Sequence, residues 1–324
     1  MSRFVSFFRG VAVAAAFAIA AAWSGAGFAQ AYPNKPVRII VQTAAGSSID
    51  VSARLLADHL TRRWGQQVIV LNQPGAGGAI AVRALTNAAN DGYTLFFAAS
   101  SVFLVLPELQ KNLAADINAM VPIAFIGETP MAIAVSGKSP AKSLSDLIAL
   151  SKTTSGGLNC AVSTRGGLSH LSAEALREAS KADLALVNYP GTAQALTDVI
   201  ADRVPVIVDS VSALIGPAAG GQIRILATAG PSRLKALPDV PAASETLPGF
   251  EATAWFALVA PAGTDAEIIR KATSDVDAVL KYPDLGRRLE EIGTFPRGMN
   301  AAELQRYIDA QKQRWSPVVQ KFGT

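Results

Sequence analysis

From Pro33 onward the sequence repeats one unit: a short apolar run, a loop of small residues, then an amphipathic stretch. "VRIIVQT" leads into a helical pattern over Ile49–Trp64, "QVIVLN" into Ala79–Ala89, and "YTLFFAA" into two serines and a short apolar segment. This alternation implies parallel strands joined by helical crossovers, the signature of an α/β domain. "VPIAFIGE" and "MAIAVSG" then follow one another with no clear helix between them, which marks a crossing between domains. The rhythm restarts with "LSDLIALSK", for which Ser143 is a cap. "LNCAV" precedes a helix over Leu168–Ser180, "LALVNY" one over Ala193–Ala201, and "VPVIVD" one over Ser212–Ala219, before the strand "IRILATA". The proline-rich "GPSRLKALPDVPAASETLPGFEA" reads as an irregular return path. A strand, "TAWFALVAP", and helices over Asp265–Lys281 and Ala301–Lys321 complete the chain. The pattern predicts two similar α/β lobes and leaves the place of that last segment open.

The 324 residues, 50% of them hydrophobic, suffice for one large core or two moderate ones. Residues 1–31 differ in kind. Arg3 and Arg9 precede the apolar run "VAVAAAFAIAAA", and "AQA" ends at Ala31, the pattern of an export signal cleaved near Ala31. An uncleaved anchor is the alternative, but the run is short for a membrane span. Without Arg3 and Arg9 the formal net charge falls from +4 to +2. No basic run marks a nucleic-acid surface. Cys160 is the single cysteine, so an internal disulfide is excluded, and no Cys/His cluster suits zinc. Cys160 reads as a small buried strand residue.

The loops after the strands carry the functional signal. They are "AAGSSID" with Gly46, Ser47, Ser48 and Asp50; Ser100 and Ser101; "STRGGLSH" from Ser163 to His170; "YPGTAQ" with Thr192; and Asp209 with Ser210. In open α/β sheets, ligands bind beyond the carboxyl ends of the strands. Each loop here opens a helix, whose free N–H groups and positive dipole end suit an anion. Any one of these residues serves equally well as an ordinary helix cap; five such loops across two lobes point to an anion-binding cleft. "PGAGGAI" has Gly75 and Gly77 of a dinucleotide fingerprint but Ile80 at its third position, and reads as a tight turn. "GKS" at Gly137–Ser139 lacks the first glycine and the helix of a phosphate loop. Of the two histidines, His59 is placed on a solvated helix face and His170 at the start of a helix. Ser47 or Ser163 with His170 and Asp209 are the pieces of a hydrolase, but no G-x-S-x-G elbow is present. No catalytic residue, metal or cofactor is assigned.

The stretches "YPNKPVRIIV", "WGQQVIVLNQPGAGGAIA", "ANDGYTLFFAASS", "GLNCAVSTRGGLSHLSAE", "VNYPGTAQALTDVIADRV" and "ALPDVPAASETLPGFEATAWFALVAPAGT" stand in one order. Together they resemble the substrate-binding proteins of tripartite tricarboxylate transporters, the Bug family, over essentially the whole chain after Ala31. The resemblance implies a non-enzymatic periplasmic binding protein of two α/β lobes. Lobe 1 is then 32–131 plus 253–324 and lobe 2 is 132–252, with a small carboxylate held in the cleft, partly through ordered water. Mapped onto this chain, the ligand loops are Gly46–Asp50 and Ser163–His170, including Thr164, Arg165, Gly166 and Gly167. Ser100, Ser101, Thr192, Asp209 and Ser210 complete the pocket. A membrane permease or a sensor is the implied partner, and a monomer the default state. The family commonly reads "PFPPGGSTD" where this chain has "QTAAGSSID", so Ala44, Ala45 and Ser47 replace stiffer or smaller residues and predict a more mobile loop. Arg165 adds a cation that either pairs with a second ligand carboxylate or sits solvated at the rim. A secreted Ser/His hydrolase and an orphan sensor remain the competing classes.

Overall fold

The computed structural model describes residues 32–110, 117–163 and 167–322. The export signal, 1–31, therefore lies outside the described residues. Along the chain run β1 (Val37–Val41), α1 (Ser48–Trp64), β2 (Val68–Asn72), α2 (Ala79–Thr86), β3 (Thr94–Ala99), α3 (Ser100–Leu104), α4 (Leu106–Leu109) and β4 (Val121–Ser136). Then come α5 (Leu144–Thr153), β5 (Leu158–Ser163), α6 (Leu168–Ser180), β6 (Leu184–Tyr189), α7 (Thr192–Ile200), β7 (Val206–Ser210), α8 (Val211–Ala219) and β8 (Ile223–Thr228). The chain closes with β9 (Thr253–Ala260), α9 (Ala266–Leu280), α10 (Pro283–Glu291), β10 (Phe295–Pro296) and α11 (Ala301–Phe322). Each strand read from the sequence is present.

The strands form one sheet in the order β2-β1-β3-β9-β4-β7-β5-β6, with β8 and β10 also on β4. Pairing is parallel within β2-β1-β3 and within β7-β5-β6, as the alternation predicts, and antiparallel wherever β4 or β9 takes part. The expected crossing between "VPIAFIGE" and "MAIAVSG" is one continuous strand, β4. Its first part pairs with β9 and β10, and Met131 onward pairs with β7 and β8. Pro130 stands where the partners change. A residue without an N–H is tolerated there because no ladder continues through it.

This register makes the two halves face each other. Ala99 at the end of β3 pairs with Phe256, which pairs with Gly127. Ser210 at the end of β7 pairs with Met131. Gly127 and Met131 are four residues apart, about 13 Å along a strand. The carboxyl ends of both parallel sets therefore converge on the middle of β4. The core follows the same plan. One apolar cluster covers a face of the first half under α1 and α9, with Ile39, Leu56, Phe97 and Val276. Another covers the outer face of the second half. A third, with Phe96, Phe125, Trp255, Ile133 and Cys160, runs through both halves. Cys160 is fully buried, and that burial pushes its thiol up to about 12, so it is packing rather than chemistry.

The helix α10 is absent from the sequence reading, and its absence misplaced His59. α10 packs on α1. His59 is only 2% exposed; Nδ1 lies 2.9 Å from Leu55 O and Nε2 2.9 Å from Asp284 Oδ2. The face expected to be solvated is covered.

Candidate functional site

The first-half loop is built around Asp50. A residue in the first turn of a helix meets unpaired N–H groups and the positive dipole end, which favour a carboxylate. Asp50 is buried, and its oxygens accept from Gly46 N–H at 2.9 Å, Asn72 Nδ2 at 2.8 Å, Arg54 Nε at 3.0 Å and Arg54 Nη2 at 2.9 Å. Burial alone would push this carboxyl up. The hydrogen bonds from Arg54, Gly46 and Asn72 outweigh it and hold Asp50 below the ordinary aspartate range. Ser47 caps α1, accepting from Asp50 N–H at 3.2 Å, and its Oγ lies 2.7 Å from Thr43 Oγ1. Gly46 turns the chain at φ +83°, a conformation that costs glycine nothing. Ser48 is half-buried beside it.

Gln42, missed as a site residue in the sequence, ties this loop to the next strand. It is buried, accepts from Ala99 N–H through Oε1 at 3.0 Å, and donates through Nε2 to Ser101 Oγ at 3.1 Å. Ser100 is buried and Ser101 half-buried, both in the short α3. Only the position of Gln42 at a strand end, among small residues, could have marked it.

The second half is arranged differently. α6, α7 and α8 open at Gly167, Gly191 and Ser210, and none of these three residues caps its helix with a side-chain hydrogen bond to a backbone N–H. Their first N–H groups are therefore left for other acceptors. Asp209 is buried between them. It accepts from Thr192 Oγ1 at 2.9 Å and from Ser210 N–H at 2.7 Å, and the side chains of Ser163 and Ser210 also favour its charged form. Burial pushes its carboxyl up, and these bonds do not fully offset that. Ser169 Oγ, also buried, accepts from Ser163 N–H at 2.9 Å and donates to Val208 O. It stitches β5 to β7 and so holds the Ser163 loop. His170 is buried, with Nε2 3.9 Å from Glu174 Oε1. Thr164, Arg165 and Gly166 lie outside the described residues.

The structure thus groups Gly46, Ser47, Ser48 and Asp50 with Ser100 and Ser101 in one half, and Ser163, Gly167, His170, Thr192, Asp209 and Ser210 in the other. The "PGAGG" segment is a tight 3-10 turn at Ala76–Gly78. Among the described residues no cluster of three or more His, Cys, Asp or Glu could hold a metal ion. No helix among the described residues is long and apolar enough to cross a membrane. A depression of about 510 Å³, lined by Ile223, Ile225 and Leu237, lies near Gly137 at the far end of β4, away from these loops.

Comparison with known proteins agrees with this architecture. The model of the tripartite tricarboxylate transporter family receptor matches residues 52–324. The protein BugT of Bordetella pertussis is 31% identical over 301 residues, 91% of each chain. The structure is similar to that of Rpa4515 of R. palustris with adipate, at a TM-score of 0.81 and 29% identity, covering 90% of this chain and 98% of that one. It is also similar to MatC of Rhodopseudomonas palustris with bound malate, at a TM-score of 0.75 and 28% identity, covering 89% and 100%.

Proposed function

The chain belongs to the tripartite tricarboxylate transporter receptor family, and from that premise we propose that it captures a small carboxylate between its two halves for a membrane permease. The observation that carries this reading is the set of three helices in the second half that open without side-chain caps around Ser163, Thr192 and Asp209. They present unpaired N–H groups and dipole ends to an anion, while the hydroxyls of Ser48 and Ser101 in the other half supply adjustable donors. The malate and adipate bound by similar proteins have the chemistry these groups suit.

In this reading lobe 1 is 32–131 plus 253–324 and lobe 2 is 132–252, and the protein works in the periplasm as a monomer after export directed by residues 1–31. Gly46, Ser48, Ser101, Ser163, Gly167, Thr192 and Ser210 face the ligand. Arg165, outside the described residues, is the candidate partner for a second ligand carboxylate, with a solvated place at the rim as the alternative. Asp50 and Asp209 already spend their oxygens on the loops, so they shape the pocket rather than touch the anion.

Thermal-shift titration with malate, adipate, amino acids and aromatic acids tests the proposal. A ligand present at about a hundred times its Kd stabilises by roughly 2.7 kcal/mol. Ser163→Leu, which fills the loop end with an apolar side chain, is expected to abolish that shift and to leave the fold intact. No shift with any acid at millimolar concentration, or normal binding by Ser163→Leu, would sink the assignment.

A further inference from the structure

Gly293 ends α10 in the left-handed conformation, φ +72°. Its N–H donates to Glu290 O and the N–H of Thr294 to Leu289 O, both at 2.9 Å, the paired bonds of a Schellman cap. Glycine is the ordinary residue there because a Cβ is strained at that φ. The surroundings add a second and independent demand. A Cβ on Gly293 would lie 2.5 Å from Ser212 Cα and 2.7 Å from Ser212 N. Ser212 stands in α8, two residues beyond Ser210, and its hydroxyl donates to Ser210 Oγ at 3.0 Å. Gly293 belongs to the segment that packs on the first half. Backbone of one half therefore rests on backbone of the other, directly behind the Asp209–Ser210 loop.

The next two residues extend the contact. Thr294 is fully buried, and its Oγ1 lies 3.3 Å from Thr129 Oγ1 on β4 and 3.3 Å from Ser52 Oγ on α1. Phe295 pairs with Glu128 on β4 and packs against the apolar cluster of the second half. Gly127 leaves no room in return: a Cβ there would lie 2.8 Å from Phe295 O. Three consecutive residues thus touch α8 behind one ligand loop, α1 behind the other, and β4 within three residues of the point where it changes partners.

We propose that Gly293–Phe295 is the bearing on which the two halves of the cleft are registered and turn. Gly293 is a positioning residue whose missing side chain sets how closely the Ser210 loop approaches the Gly46 loop. This rests on the two-lobed binding reading. A methyl at 293 must push Ser212 back by about 1 Å to reach ordinary van der Waals separation. Ser210 moves with it, and donors displaced by that distance leave hydrogen-bond range.

The experiment compares Gly293→Ala with Gly65→Ala. Gly65 ends α1 at φ +63° with nothing within 4 Å of a built Cβ, so it carries the same backbone strain without the contact. In ligand-free protein, Gly293→Ala is expected to shift the radius of gyration in solution scattering and to speed amide exchange over residues 127–131 and 208–214. Gly65→Ala should do neither. Titrated with malate and adipate, Gly293→Ala is expected to bind whichever acid the wild type accepts about tenfold more weakly or worse, the loss of a single hydrogen bond. If the two variants behave alike, the bearing is refuted and Gly293 is only a helix cap. Should Gly293→Ala fail to fold, Thr294→Val, which removes the buried hydroxyl without adding bulk, must speed exchange at 127–131; unchanged exchange refutes the proposal. If the wild type binds none of the acids in the thermal-shift panel, the carboxylate reading falls, while scattering and exchange still decide the bearing.

Discussion

Replacing Asp50 measures how the first ligand loop is held. The Asp50 side chain is 3% exposed and that of Arg54 48%. Asp50→Ala leaves the Gly46 N–H and the Asn72 amide without their acceptor, at about 1–3 kcal/mol each if they stay dry. It also removes an acid from the positive end of α1, worth about 0.3–1 kcal/mol. Arg54 rehydrates, so its share of the pair is at most about 1 kcal/mol. The expected loss is about 3–4 kcal/mol, or roughly 6–8 °C in Tm at about 2 °C per kcal/mol for a chain of this size. Asp50→Asn keeps one acceptor and should lose about half as much, and Arg54→Ala about 1 kcal/mol or less. Urea denaturation followed by circular dichroism reads these differences. The acid limb gives a second check. Asp50 is held below its ordinary value of 3.8, so the native state binds fewer protons than the unfolded chain. Its contribution is complete above 3.8 and is lost as pH falls through the lower, folded value. Asp50→Asn should remove that part of the acid sensitivity. A loss below about 1 kcal/mol in Asp50→Ala, equal losses in Asp50→Ala and Arg54→Ala, or an unchanged acid limb would refute the reasoning.

Asp209 should show the opposite sign. Its carboxyl is pushed up by burial, so the folded state holds its proton longer and stability falls as pH rises from 3.8 through the raised value. Asp209→Asn is expected to flatten that limb; a slope identical to the wild type's in denaturation midpoints across that range would contradict it. Gln42→Ala strands the buried Ala99 N–H and the Ser101 hydroxyl, costing about 2 kcal/mol in the same urea assay, and a loss near zero would show that water replaces both bonds.

What was legible in the sequence is what local pattern controls. The strands "VRIIV", "QVIVLN" and "LNCAV" are short apolar runs between turn residues, and each is a strand. Pairing across the sheet is a long-range property, so β4 reads as two pieces in the sequence although only its partners change at Pro130. α10 escaped because "PDLGRRLEE" carries only Leu285 and Leu289 as buried anchors, too few to outweigh its charge and its glycine. His59 was then placed in solvent, since a helix face is judged by its own residues until the element that covers it is known. The site loops were visible as small residues at strand ends. The hydrogen bonds that Asp50 and Asp209 make were not, because partners such as Asn72 and Thr192 stand on other elements.

The same distinction settles what the unusual "TAAGS" stretch means. Without prolines it reads as a mobile loop. In the structure side-chain hydrogen bonds tie the loop where ring constraints are absent. Asn72 Nδ2 donates to Thr43 O at 3.0 Å, Thr43 Oγ1 lies 2.7 Å from Ser47 Oγ, and Asp50 receives the Gly46 N–H. Nothing lies within 4 Å of a Cβ built on Gly46, so that glycine serves the turn's φ and not a close approach of neighbouring protein. Ser47, the residue that most distinguishes this loop, is occupied as the cap of α1. The loop's offer to an anion therefore reduces to the N–H groups at the start of α1 and the hydroxyl of Ser48. Donors of that kind recognise a carboxylate group and say little about the molecule attached to it. Under the proposed reading, discrimination among acids falls to the second half, where three helices open without side-chain caps around a buried aspartate.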